Sequence, residues 1–314
     1  MTKPAMRSRF TAINRYGEEE LRQLKNSKAL IIGLGATGSV IAEHLARHGV
    51  QLKLIDRDYL ETNDLYSSNI YTAQDCRKTM PKAKAAEKHL SEITEVEGII
   101  KDFNKEDERL VKEADVILDG TDNLKTRKII EYFAKKHETP WIYTAAISNQ
   151  GYSLFLDQKT CFNCIVPENA KNLATCETDG IMREKSTIVA SKSSQKAINH
   201  LTNKEVDKNL YIDSLEKNLE IENQNCDCEI SDIEESRVSG VCGEDKYQVD
   251  GSFDLKNEKS KLENVLDIES SNDYLVRGVF RNREIVLFRD GRAIIEAKSL
   301  GQAKSTYTKI TGTQ

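Results

Sequence analysis

The chain has 314 residues, 38% of them hydrophobic and 31% charged, with a formal net charge of −5. That length exceeds one average domain, and the apolar fraction excludes disorder, so a large domain with a smaller appendage is expected. The acidic balance offers no basic field to nucleic acid or an anionic membrane, and no run reaches the roughly 18 apolar residues of a membrane span, so neither partner is expected.

Residues 17–28, GEEELRQLKNSK, put acids first and bases last, which predicts a short helix matched to its dipole. ALIIGLG at 29–35 is an apolar β-type run ending in glycines, and TGSVIAEHLARHG behind it has helical spacing at Val40, Ile41 and Leu45. VQLKLID at 50–56 predicts a second strand, followed by a helix over 82–90 and an apolar strand in ADVILDG at 114–120. A helix over 123–136 and strands in WIYTAAI and YSLFL complete the pattern. The expected fold class is α/β, a doubly wound, Rossmann-like, mostly parallel sheet covered on both faces, spanning residues 1–230.

After about Glu229 the texture turns polar and rich in turn formers, which marks a connection. Residues 231–314 are expected to form a smaller α+β domain. Its helix has apolar spacing at Leu255, Leu262 and Val265; strands follow in YLVRGVF, EIVLF and AIIEA, with an Asp290-Gly291 turn between the last two. A closing helix aligns Leu300, Ala303 and Tyr307 on one face.

Gly33, Gly35, Ala36 and Gly38, in GLGATG, lie between strand and helix, where glycines permit a tight turn and backbone N–H groups meet a phosphate. Asp56 ends the next strand, 18 residues past Gly38, in position to accept hydrogen bonds from ribose hydroxyls. Asp122 follows the strand in ADVILDGT, where a carboxylate would repel a bare phosphate. A magnesium ion removes that conflict, because Mg²⁺ takes one or two carboxylates together with substrate phosphates, and ATP is therefore favoured over NAD. No GxxxxGK[ST] loop is present, so attack at the α-phosphate is favoured over γ-phosphoryl transfer.

GLGATG, LIDRD, MPKAKAA, LDGTDNLKTR, CFNC and LATCETDG occur in one order and spacing, and residues from about Arg7 to Cys228 thereby resemble the family of ThiF, MoeB, HesA and the ubiquitin-activating enzymes. The C-terminal stretch is similar to the small domain of many archaeal members. The resemblance implies an ATP-dependent adenylyltransferase that activates the C-terminal glycine carboxylate of a ubiquitin-like or sulfur-carrier protein of the ThiS, MoaD or small-modifier type, acting as a homodimer. It implies that Lys82 pairs with phosphate oxygens, Asp122 holds the metal and Asn123 lines the pocket. Arg9, or less closely Arg7, matches an arginine that reaches a phosphate across the dimer interface. One position departs: where the family shows a NLQRQ-like stretch this chain has DLYSS, and Ser67 stands at the arginine position, with Arg77 or Lys78 as substitutes.

Seven cysteines and the absence of an apolar signal core in MTKPAMRSRF predict a cytoplasmic protein whose CxxC spacing serves metal rather than disulfides. Cys161 and Cys164 form CFNC and Cys226 and Cys228 a tighter CDC; four thiolates suit a structural zinc that staples distant segments. The resembling family uses two CxxC pairs in this way; here the second pair is one residue short, and Cys242 is an alternative fourth ligand. Cys176, in ATCETDG, matches the position where members form a thioester or persulfide, the other reading being an incidental loop thiol. Cys76 and, where it is not the fourth ligand, Cys242 read as ordinary thiols, and His44 and His48 as surface residues.

Two other classes fit the pattern. An NAD-dependent oxidoreductase would not need Asp122, and a nucleotide-binding scaffold without catalysis is suggested by Ser67. A relative that adenylates a tRNA base is disfavoured for want of a basic surface.

Overall fold

Ala29, Leu30, Ile31 and Ile32 are all buried on β1 (Lys28–Ile32), as is every residue of β4 (Val116–Asp119). A strand buried at successive positions has both faces covered, as in a parallel sheet between helical layers. The computed structural model describes residues 8–13, 16–165, 180–213, 217–219 and 245–312. Its contacts divide the described chain into two compact units. The first takes residues up to Asp58, Thr62–Thr72 and those from Pro81 through 219; the second takes Tyr59–Glu61, Ala73–Met80 and 245–312.

In the first unit β1 and β4 are joined by β2 (Gln51–Asp56), β3 (Val96–Ile100), β5 (Trp141–Ile147), β6 (Gln150–Leu156), β7 (Leu210–Ile212) and β8 (Lys217–Leu219). The order is β3-β2-β1-β4-β5-β6-β7-β8, parallel from β3 to β5 and antiparallel thereafter. The chain moves outward from β1 through β2 to β3, then returns to place β4 on the other side of β1. The carboxyl ends of β1 and β4 therefore flank the switch point at which open α/β sheets hold ligands.

The helices are α1 (Ser8–Thr11), α2 (Glu18–Asn26), α3 (Gly38–His48), α4 (Asp64–Ser67), α6 (Lys82–Leu90), α7 (Glu108–Lys112), α8 (Leu124–Lys136), α9 (Phe162–Ile165) and α10 (Arg183–Leu201), with α5 (Ala73–Arg77) in the second unit. The acid-first helix at residues 17–28 forms as α2, and the Gly17 N–H donates to the Glu20 carboxylate at 2.8 Å. α3 stops at Gly49, whose φ of 92° is the left-handed cap that glycine adopts without a Cβ clash. No helix among the described residues is long and apolar enough to cross a membrane.

His44 and His48 are corrected by the structure: both are partly buried, not surface residues. His44 Nδ1 lies 3.3 Å from Ser194 Oγ, and His48 meets the Phe10 ring edge-on at 5.1 Å. Lys192 lies with its ammonium 5.0 Å from the Tyr211 ring centroid.

The second unit is an antiparallel sheet in the order β10-β11-β12-β13-β9, from β9 (Lys246–Val249), β10 (Asp267–Ser271), β11 (Leu275–Val279), β12 (Glu284–Phe288) and β13 (Ala293–Glu296). α11 (Leu255–Glu263) and α12 (Leu300–Thr311) close its core with Leu255, Leu262, Ala303 and Tyr307. Val265 falls past the end of α11 and is 38% exposed, so its helical spacing was incidental. The Asp290-Gly291 turn forms with Gly291 at φ 87°, and the Tyr307 hydroxyl donates to the Gly291 carbonyl at 2.6 Å.

Candidate nucleotide site

The loop between β1 and α3 is made by three backbones that meet without side chains. Gly33 has φ 84°, and a Cβ on it would lie 2.7 Å from the Gly120 carbonyl oxygen. A Cβ on Gly38 would lie 1.9 Å from the Gly33 oxygen, and one on Gly120 would meet the same atom at 2.7 Å. These glycines seat α3 on the ends of β1 and β4. Gly35 differs, because a Cβ there would meet nothing within 4 Å. It leaves backbone open at the start of the helix, where an anion is attracted.

Asp56 ends β2 beside this loop and is only 8% exposed. Its Oδ2 accepts from the Leu34 N–H at 2.6 Å and its Oδ1 from the Asp58 N–H at 2.7 Å. Burial, reinforced by the charge of Asp58 and opposed by Lys82 and the two N–H donors, pushes its pKa up to about 6.

Lys82 opens α6 and its N–H donates to the Asp58 carbonyl at 2.9 Å. Its ammonium lies 2.8 Å from Asp64 Oδ1 on α4, with the two side chains 15% and 16% exposed. Burial works against the ammonium, but Asp64, Asp58 and Asp56 outweigh it and hold the pKa above the usual lysine value. The chain therefore keeps a charged, largely buried lysine at the edge of the crevice, against the common fate of a lysine at a helix start, which is to face water.

Arg57 was not singled out by sequence reasoning, although the LIDRD motif contains it. Its guanidinium lies 3.8 Å from Asp58 and 3.7 Å from Asp102. Burial disfavours its charge, while Asp58, Asp102 and Asp122 favour it and raise the pKa overall.

β4 ends in Asp119, which is fully buried. Its Oδ1 accepts from the Thr121 N–H at 2.8 Å and hydroxyl at 2.7 Å, and its Oδ2 from Arg127 Nε at 3.1 Å. Arg127 also donates to the Thr121 carbonyl and stacks 4.8 Å from the Tyr143 ring centroid. Next along, Asn123 caps α8, its Oδ1 accepting from the Thr126 N–H at 2.8 Å. Asp122 is held between these two fixed points and is itself exposed, with no hydrogen bond or ion pair to its carboxylate among the described residues. An exposed oxygen donor on a rigid turn suits a hard divalent cation that keeps water and phosphate in its shell, so the residue present fits magnesium.

Gly33, Gly35, Ala36, Gly38, Asp56, Lys82, Asp122 and Asn123 thus all belong to the first unit and stand at or beside the carboxyl ends of its parallel strands. Arg9 is exposed on α1. Arg77 and Lys78 are exposed residues of the second unit. Ser67 ends α4, and a cation does reach this stretch, since Arg183 at the start of α10 donates to Asn69 Oδ1. Cys161 is buried just before α9, and Cys164 lies in α9 with its side chain outside the described residues. Arg7, Cys176, Cys226, Cys228 and Cys242 also lie outside them. Among the described residues no three metal-ligating side chains cluster.

The ThiF family model matches residues 8–230. The sulfur carrier protein ThiS adenylyltransferase of Bacillus subtilis (strain 168) is 31% identical over 95% of this chain and 99% of its own length. The molybdopterin-synthase adenylyltransferase of Escherichia coli (strain K12) is 29% identical over 57% of this chain and 74% of its own. Among solved structures, E. coli MccB with succinimide matches with a TM-score of 0.52 at 19% identity, and the chain spans 60% of it, a likeness of fold. A match over the whole first unit, together with a relative aligned almost end to end, establishes that the chain belongs to the ThiF family.

Proposed function

We propose that this protein is an ATP-dependent adenylyltransferase that activates the C-terminal carboxylate of a small ubiquitin-like or sulfur-carrier protein. The observation that carries the reading is Asp122, an exposed carboxylate two residues past Gly120, whose backbone packs against Gly33 and Gly38 of the glycine loop. A dinucleotide bound by its pyrophosphate has no use for a negative group there, whereas a metal-bound triphosphate does. Family membership and the names of the aligned relatives support the same chemistry.

A carboxylate is already a nucleophile, so no general base is required. One oxygen of the carrier carboxylate attacks the α-phosphorus, the bond from that phosphorus to the bridging oxygen breaks, and pyrophosphate leaves with the electron pair. The product is an acyl-adenylate, and no proton moves. Residues of the chain align and neutralise. Asp56 takes the ribose hydroxyls, the loop at Gly35 admits the phosphates, and Lys82 exchanges Asp64 for a phosphate oxygen. Asp122 would hold magnesium, which supplies charge neutralisation on the phosphate oxygens when bound. Homodimer formation with Arg9 reaching the partner's nucleotide, zinc on Cys161, Cys164, Cys226 and Cys228, and a thioester or persulfide at Cys176 complete the reading by family resemblance.

The test is ATP–pyrophosphate exchange in the presence of the host's small glycine-tailed proteins, comparing wild type with Asp122→Ala. Carrier-dependent exchange that disappears in the variant is expected. Nucleotide binding without exchange for every carrier would favour a scaffold that has lost turnover, the reading that Ser67 at the end of α4 prompts.

A further inference from the structure

Arg57 follows Asp56 directly, and no step of the adenylation uses it. The register of β2 and β3 sets its neighbours: Asp56 pairs with Ile100, the Lys101 N–H donates to the Asp56 carbonyl at 3.2 Å, and Asp102 comes next. Arg57 Nη1 lies 3.7 Å from Asp102 Oδ2, and Nε lies 3.8 Å from Asp58 Oδ1. All of these residues belong to the first unit. The guanidinium is thus held from two sides, while 13% of the side chain stays exposed.

Asp56 gives the direction in which a nucleotide runs past this group. Its Oδ2 accepts from Leu34 of the glycine loop and its Oδ1 from Asp58, so the loop lies on one side of the carboxylate and Asp58, paired with Arg57, on the other. With phosphates at the open Gly35 backbone and the ribose on Asp56, the base is carried to the side of Arg57. The charge of Asp122, past the end of β4, also acts on Arg57, as expected for a residue of the crevice and not of the outer edge of the sheet.

The chemistry of the group selects an aromatic ring. A guanidinium is flat, weakly hydrated and able to lie on a ring face, and carboxylates already engage its edges here. Its face is what it offers to a ligand. A phosphate on the ribose 2′ position, the other group that an arginine beside a ribose carboxylate can take, would be repelled by Asp56 and Asp58.

We propose that Arg57 is a binding residue for the nucleotide base, its guanidinium forming one wall of a pocket in which adenine stacks. The proposal rests on the adenylyltransferase reading for the placement of phosphates at Gly35 and ribose at Asp56. Because its ion pairs fix the side chain before ligand arrives, little further ordering is required when the ring settles on it.

The test uses the full chain and two ligands that share ribose and triphosphate: Mg·ATP, and the magnesium complex of ribose 5-triphosphate, which lacks the base. Calorimetric Kd values are measured for wild type and for Arg57→Lys, which keeps the charge and loses the plane. The Kd for Mg·ATP is expected to rise about tenfold in the variant, within the range of one stacked base, with the Kd for ribose 5-triphosphate within about twofold of wild type. A variant with wild-type Kd for both ligands overturns the proposal, because charge alone then suffices. An equal rise for both overturns it too, since Arg57 then serves the phosphates or the fold. If Arg57→Lys does not fold, Arg57→Gln is read in the same way. Wild type that binds neither ligand overturns the nucleotide reading and this one together, whereas the exchange assay with carrier proteins bears on adenylation alone.

Discussion

Lys82 Nζ stands 2.8 Å from Asp64 Oδ1, so a carboxylate competes with phosphate for the cation assigned to ATP. The pair lies largely out of water, where removing one partner strands the other. Asp64→Asn should therefore lower stability of the free protein by about 1 to 3 kcal/mol in chemical denaturation. It should also release Lys82 from a competitor, so Mg·ATP should bind more tightly than to wild type. Loss of stability combined with weaker binding would mean that Asp64 positions the lysine for phosphate and does not compete for it. Lys82→Ala should cut exchange by about 10²- to 10³-fold, the range seen when one preorganised donor to a developing charge is removed.

Asp56 carries a pH signature. Its folded pKa, near 6, lies above its ordinary value of 3.8, so the folded state holds a proton that the unfolded state has lost between those values. The stability it contributes is complete below about pH 4 and disappears as pH rises to about 6, amounting to at most roughly 3 kcal/mol. Asp56→Asn loses one hydrogen bond at every pH but removes this slope, so the stability difference between wild type and variant should shift against wild type from pH 4 to 7. Nucleotide binding runs the other way, because ribose hydroxyls prefer the carboxylate. The Kd for ATP should rise by up to about tenfold per pH unit below about pH 6 in wild type and stay flat in Asp56→Asn.

The buried pair of Asp119 and Arg127 fixes Thr121 and with it the turn that carries Asp122. Burial raises the Asp119 pKa against the opposing pull of Arg127 and Thr121. Asp119→Ala leaves a guanidinium without its carboxylate and should cost about 3 to 5 kcal/mol in urea denaturation. Asp122→Ala, at an exposed position, should leave stability within about 0.5 kcal/mol of wild type while abolishing exchange. A variant of Asp122 that unfolds the protein would assign it to structure.

The central strands and the glycine loop were legible because their physics is local. Residues 29–35 are apolar on both faces and end in glycines, a pattern with few structural solutions. Asp122 was singled out for a related reason, since a carboxylate beside a proposed phosphate site calls for a counter-charge. β3 was missed because Glu97 and Gly98 interrupt its alternation; Gly98 is there so that α6 can approach, and a Cβ on it would lie 2.3 Å from the Ala83 oxygen. β10 was missed because it is a polar edge strand with no residue fully buried. The ion pair of Lys82 with Asp64, the place of Arg183 beside Asn69, and the second unit's capture of Tyr59–Glu61 all depend on contacts between residues distant in sequence, which no local pattern encodes.

The glycines of the loop separate fold from binding most sharply. A methyl group on Gly38 would sit 1.9 Å from the Gly33 oxygen, backbone against backbone, with no flexible side chain to yield. Gly38→Ala should displace α3 from the strand ends and destabilise the protein by about 1 to 3 kcal/mol or more, as overpacking does, with nucleotide affinity lost as a consequence. Gly35→Ala meets no atom within 4 Å and requires no left-handed backbone, so its melting temperature should match wild type. If the open backbone at Gly35 is where phosphates approach, that methyl group enters the space they need, and the Kd for Mg·ATP should rise by about tenfold or more, roughly the 1.4 kcal/mol that one obstructed contact costs. Calorimetric titration of the two variants beside their thermal melts decides the matter: a stable Gly35→Ala protein with wild-type affinity would place the phosphates elsewhere along the crevice.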